Sequence, residues 1–156
     1  MAQIFYLHEV VQFAIEKEKE SEMLYQKLAS KTWSQEAKNL FENLLQQERK
    51  HEEFYTKMLA KVDAEQTPGV HENEEYKAYM QELIAASRKA RPFSDDELAD
   101  PRKAIDCAMG RERDSIVFYI GLQHYVRSAD QGNIEVIIKE EARHLALLAN
   151  LKKNFK

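Results

Sequence analysis

One cysteine, Cys107, stands in 156 residues. That excludes an intramolecular disulfide and any four-thiolate metal site built within the chain, and it fits a reducing cytoplasm. Only 4 Gly and 3 Pro interrupt the sequence, so long unbroken helices are expected. No apolar run reaches the roughly 18 residues that cross a bilayer. The start, MAQIFYLHEVVQF, has neither a basic leader nor a small-residue cleavage site. Excess positive charge is also missing. The net charge of −4 and the pI of about 5.8 argue against nucleic acid and anionic membranes as partners. Glycine-rich phosphate loops, Ser-His-Asp signals and base-stacking patches are absent as well, which leaves hydrolase and nucleic-acid functions without support.

What is present is a nearly continuous helical period of apolar residues, in a chain long enough for one domain (1–156) with a real core. A first helix is expected over residues 5–30, with Val11, Ala14, Ile15, Glu18, Tyr25 and Leu28 on one face. Thr32-x-x-Gln35 is a candidate capping box for a second helix to about residue 62, facing inward with Phe41, Leu44, Glu48, His51, Tyr55 and Met58. Pro68-Gly69 marks a turn, and Tyr76 to about Ala90 reads as an extra helix ended by Pro92. Ser94-x-x-Glu97 can start a short turn. Asp100-Pro101 predicts an N-cap and first position for a helix to about Val126, and Ser128-x-x-Gln131 opens the last helix. About 38 residues separate the second long helix from the next, whereas the other links are short. The predicted fold is all-α: an antiparallel four-helix bundle whose long crossover carries an extra helix.

The same constellation occurs twice. Ala14, Glu18 and Tyr25 recur as Ala108, Glu112 and Tyr119, an offset of 94 (112−18). Glu48-x-x-His51 recurs as Glu141-x-x-His144, an offset of 93 (141−48). Residues three apart share a helix face, so each Glu-x-x-His pair presents two metal donors side by side. One such pair is a weak signal; two in matched context are not. Four carboxylates and two imidazoles from four helices can surround two metal ions.

The competing reading makes these residues a solvated helix edge, and energetics opposes it. The periodicity turns Glu18, Glu48, Glu112 and Glu141 inward, where one unpaired carboxylate costs several kcal/mol. No Lys or Arg is expected to turn inward with them. Two divalent ions would cancel the four charges with both histidines neutral. Oxygen and imidazole donors suit iron, manganese or zinc, and a carboxylate-rich pair of sites favours iron or manganese. Glu18 and Glu112 would each bind one ion, and Glu48 and Glu141 would bridge ions roughly 3.5–4 Å apart. Gln47 and Glu140, each just before a bridging glutamate, are candidates to hold the second ring nitrogen of the histidines, although a surface position is an equal alternative. Glu22, one turn after Glu18, is read as solvated edge, with an extra carboxylate for the site as the alternative; Cys107 is read as a small core residue and Trp33 as packing for the first interhelical turn. His8, His71 and His124 are read as ordinary surface or packing histidines.

Over nearly its whole length the chain resembles the rubrerythrin and bacterioferritin branch of the ferritin-like superfamily. AIEKEKESEMLYQKLA and CAMGRERDSIVFY look like the first and third helices of rubrerythrin-type domains. The resemblance implies a di-iron site with ligands Glu18, Glu48, His51, Glu112, Glu141 and His144, lined by Tyr25 and Tyr119. It also implies reduction of hydrogen peroxide or dioxygen, electrons from an external donor such as a rubredoxin-like protein, and a homodimer. Three departures are visible. Ser115 stands where rubrerythrins carry a further glutamate, so their ligand switching is in doubt. Paired Cys-x-x-Cys motifs are missing, so electrons come from elsewhere. Arg49 stands where bacterioferritin has its haem-ligating methionine. Iron storage or transfer is the alternative function, disfavoured by the missing fifth helix of cage ferritins. A metal-dependent structural or sensing bundle is a third.

Overall fold

The computed structural model describes residues 2–65 and 74–156, with side chains described from Leu7 to Ala64 and from Glu74 onward. Six helices and no strand occur among these residues: α1 (Ala2–Ala29), α2 (Gln35–Glu65), α3 (Glu74–Lys89), α4 (Asp95–Ala99), α5 (Pro101–Gln123) and α6 (Ser128–Lys152). The expected turn at Pro68-Gly69 and His71 lie outside the described residues.

Four long helices form the bundle. α1 packs most extensively on α2 and α5 on α6, with α1 against α5 and α2 against α6 closing the ring. Each hairpin is one copy of the sequence repeat. The core divides into two apolar ends. One is built on Val10, Val11, Phe13, Tyr55, Phe118, Leu122 and Ile134, the other on Leu24, Leu28, Phe41, Leu44, Ala104, Ile105 and Leu148. The polar cluster described below lies between them along the bundle axis.

The termini of the helices correct several expectations. Ser34, not Thr32, caps α2, accepting from the Ala37 amide at 3.1 Å. Trp33 occupies the preceding turn with its ring edge-on to Phe41 and Phe155, so the helix starts after it. Ser128 does not cap α6 but is its first residue, with Arg127 at the N-cap. Gln131 reaches back to the Val126 carbonyl instead of to Ser128. α5 stops at Gln123, short of Val126: the His124 amide donates to the Gly121 carbonyl at 3.2 Å and the Tyr125 amide to the Leu122 carbonyl at 2.8 Å. The Ser94–Glu97 capping box is present in full, and Asp100 with Pro101 starts α5 as expected.

α3 settles where the crossover goes. It lies on α1 and α5 of its own bundle, burying Met80 and Ile84. Gly121 makes this possible: a Cβ there would overlap Met80 Sδ and sit 3.4 Å from the Tyr76 hydroxyl, which itself donates to the Gly121 carbonyl at 3.0 Å.

Candidate metal centre

All six predicted ligands are buried, and they converge midway along the bundle. Glu18, Glu48, Glu112, Glu141, His51 and His144 are each at most 3% exposed. Their donor atoms form two groups within 4.8 Å: Glu18, Glu48, His51 and Glu141, and Glu48, Glu112, Glu141 and His144. Glu48 and Glu141 belong to both groups, whereas Glu18 and Glu112 belong to one each.

The imidazoles aim Nδ1 inward. His51 Nδ1 lies 3.0 Å from Glu48 Oε2, 2.8 Å from Glu141 Oε1 and 3.7 Å from Glu18 Oε1. His144 Nδ1 lies 3.4 Å from Glu112 Oε1, 3.6 Å from Glu141 Oε1 and 3.7 Å from Glu48 Oε1. The two oxygens of Glu48 thus face different histidines. The rings lie 5.9 Å apart and nearly parallel, at 19°.

The outer ring nitrogens are held across the hairpins. His51 Nε2 donates to Glu140 Oε2 at 2.6 Å, and His144 Nε2 donates to Gln47 Oε1 at 2.7 Å. Gln47 gives its amide nitrogen to Asn43 Oδ1, which leaves its oxygen for the ring. Each bond keeps a proton on Nε2, so that Nδ1 is the nitrogen left facing the carboxylates and the one that ligates a metal once its own proton is lost. The tyrosines also cross over. Tyr25 on α1 donates to Glu112 Oε1 on α5, and Tyr119 on α5 donates to Glu18 Oε1 on α1.

Most of the remaining donors are orphans. Glu18 Oε2, Glu48 Oε1, Glu112 Oε2 and His144 Nδ1 are buried without a hydrogen-bond partner among the described residues, and Glu141 Oε1 has only its ion-pair contact with His51 Nδ1 at 2.8 Å. Buried polar atoms are normally satisfied, and these five all point into one space. Among the described residues the four carboxylates form ion pairs only with His51 and His144, none with Lys or Arg. Lys17 is a buried lysine that the periodicity did not foresee, yet it turns away from the cluster and lies over the Phe13 ring.

Electrostatics shows what the cluster does without cations. Burial, then the Glu48 charge, pushes Glu18 up to about 8. Burial followed by repulsion from Glu48, Glu18 and Glu112 raises Glu141 well above the carboxylate range. Burial lowers both histidines, but the surrounding carboxylates outweigh it, raising His51 and lifting His144 to about 9. Burial raises Glu48, yet its bonds to His144 and His51 prevail and hold it below its usual value. The metal-free cluster therefore keeps protons where the charge count calls for cations.

Other expectations need adjustment. Glu22 is half-buried, not a solvated edge: burial and the neighbouring Glu52 push it up to about 8, and its Oε1 is an orphan. Cys107 is half-buried. His8 is exposed and meets Asp63 at 2.6 Å. Trp33 packs the first turn as expected. The helical period places Tyr55 only as an inward residue. Its hydroxyl is buried without a partner, and its ring sits 5.0 Å from Tyr119. Its position one turn after His51 was the available signal. A groove of about 1000 Å³ on the outer side of α1 and α5 touches none of the six.

The sequence pattern of the family described as Rubrerythrin matches residues 9–152. Among solved structures, a Thermotoga maritima protein described as a candidate ferritin-like diiron-carboxylate protein superposes with a TM-score of 0.65. The match covers 94% of each chain at 24% identity, which establishes a shared fold. No curated protein sequence matches significantly.

Proposed function

The chain belongs to the rubrerythrin family, and we propose that it is a non-haem di-iron oxidoreductase that reduces hydrogen peroxide or dioxygen with electrons from an external donor. The observation that carries this reading is the pair of four-donor groups sharing Glu48 and Glu141, with orphaned oxygens facing one space. The donor set of carboxylate and imidazole fits iron or manganese, and zinc less well. Glu18, Glu48, His51 and Glu141 would hold one ion, and Glu48, Glu112, Glu141 and His144 the other. When bound, an adjacent ferrous pair supplies two electrons together to an O–O bond; with two protons, peroxide leaves as two waters.

The residues around the ligands supply aim. Tyr25 and Tyr119 fix one oxygen of Glu112 and Glu18, leaving Oε2 of each free for an ion. Their hydroxyls keep their protons, since burial and the adjacent carboxylate raise both well above the ordinary tyrosine value. Each therefore stays a hydrogen-bond donor that orients its carboxylate and does not readily give up its proton. The site's near-complete burial suits a small oxidant and excludes bulk water.

The electron donor we propose is of rubredoxin-like chemistry and lies outside these 156 residues, which hold one thiol. That unpaired cysteine suits a reducing cytoplasm. No helix among the described residues is long and apolar enough to cross a membrane. A homodimer is supported by Val117 and Ile120, exposed on α5, and Met23, exposed on α1.

The test is anaerobic loading with ferrous iron, followed by peroxide or dioxygen in separate experiments. Two irons per chain and faster oxidation by peroxide are expected. Uptake far above two irons per chain would point instead to iron storage.

A further inference from the structure

The two metal positions are related by the repeat, and their six ligands match pairwise. What holds the histidines does not match. Gln47 and Glu140 occupy equivalent positions, at the same offset of 93 (140−47) as the ligand pairs, yet one is an amide and the other a carboxylate. His144 Nε2 donates to the neutral oxygen of Gln47 at 2.7 Å. His51 Nε2 donates to the carboxylate of Glu140 at 2.6 Å. Asn43 ties down the amide of Gln47, so this contrast is built in and is not an exchange of equivalent rotamers.

A carboxylate on the far side of an imidazole draws the Nε2 proton toward itself and makes Nδ1 a stronger donor. An amide oxygen does this far less. Glu140 also adds a negative charge behind one position only. We propose that Glu140 and Gln47 are positioning residues that make the two metal positions unequal. The position at His51, Glu18, Glu48 and Glu141 then fills first and holds its ion more tightly than the one at His144. This inference rests on the dimetal reading above.

The experiment is stepwise titration of the metal-stripped full chain with Co(II), followed by calorimetry and by the visible Co(II) absorption. Two resolved steps are expected, separated by roughly 10–100-fold in affinity, the usual scale for a partner of a ligating histidine. Repulsion between two cations would also separate the steps, so two conservative exchanges carry the decision. Glu140→Gln should weaken the first step by about tenfold or more and bring the steps together. Gln47→Glu should tighten the second step by a similar factor. Two ions bound in steps that neither exchange moves would overturn the proposal while leaving the dimetal site standing. No stoichiometric Co(II) binding would overturn the dimetal reading and this inference with it.

Discussion

The Tyr25 hydroxyl on α1 donates to Glu112 on α5, 87 residues away, and Tyr119 on α5 returns the arrangement to Glu18 on α1. Each tyrosine serves a ligand of the opposite hairpin. Replacing Tyr25 or Tyr119 with Phe leaves a buried carboxylate oxygen without its donor, at a cost of about 1–3 kcal/mol. We expect both single variants to retain two metal ions by elemental analysis. They should unfold at lower denaturant and reduce peroxide more slowly, because the freed carboxylate loses its orientation. Unchanged turnover in the double variant would remove the tyrosines from the reaction.

Sharing of ligands makes the glutamates unequal. Glu48 and Glu141 belong to both donor groups, whereas Glu18 and Glu112 belong to one each. Glu48→Ala should therefore abolish binding of both ions, and Glu18→Ala should leave about one ion per chain, at the position of His144. Metal content after gel filtration distinguishes the two. Equal losses in both variants would contradict the bridging assignment.

The pH dependence of the metal-free chain has a definite sign. His144 rises from 6.5 to about 9 and Glu18 from 4.5 to about 8. His51 and Glu141 are raised as well. A raised value means that the folded chain binds protons the unfolded chain has already lost, so stability falls as pH rises through that window. The His144 contribution is complete below about 6.5 and gone above about 9. The depressed Glu48 does not offset this, because its contribution is constant above its unfolded value. We expect the melting temperature of metal-free protein to drop between pH 6.5 and 9, with each kcal/mol worth about 2–4 °C in a domain of this size. Metal-loaded protein should show little change, since cations replace the protons. Scanning calorimetry at the two pH values, with and without metal, decides it.

Docking of α3 depends on a missing side chain. Gly121→Val would drive a branched side chain into the end of the fully buried Met80 side chain, which must shift to make room. A loss of about 1–3 kcal/mol is expected. Faster amide exchange should be confined largely to α3, while metal content stays at two ions. Loss of metal in this variant would show that the crossover supports the site, contrary to its position on the outer side of α1 and α5.

Much of this site was readable from spacing alone, for a physical reason. Side chains three residues apart must share a helix face, so Glu48 with His51 and Glu141 with His144 were placed before any contact was known. The same rule brought in Gln47 and Glu140 by adjacency. It could not tell which histidine each would hold, because that depends on how the hairpins face one another. Local chemistry was less decisive at helix ends. Thr32 and Ser128 have the right side chains for capping, but Trp33 and Gln131 had better uses for the same turns. Lys17 and Glu22 resisted reading because a long side chain can bury its stem beside a face to which it does not belong.

Four supporting bonds around the cluster join one hairpin to the other: Tyr25 to Glu112, Tyr119 to Glu18, His51 to Glu140 and His144 to Gln47. Neither half of the chain could aim its own ligands by itself. Two identical halves facing each other about a twofold axis could, since each would lend the other what it lacks. A gene for one such half, once doubled and fused, would have inherited a working arrangement intact, and only afterwards could Gln47 and Glu140 diverge.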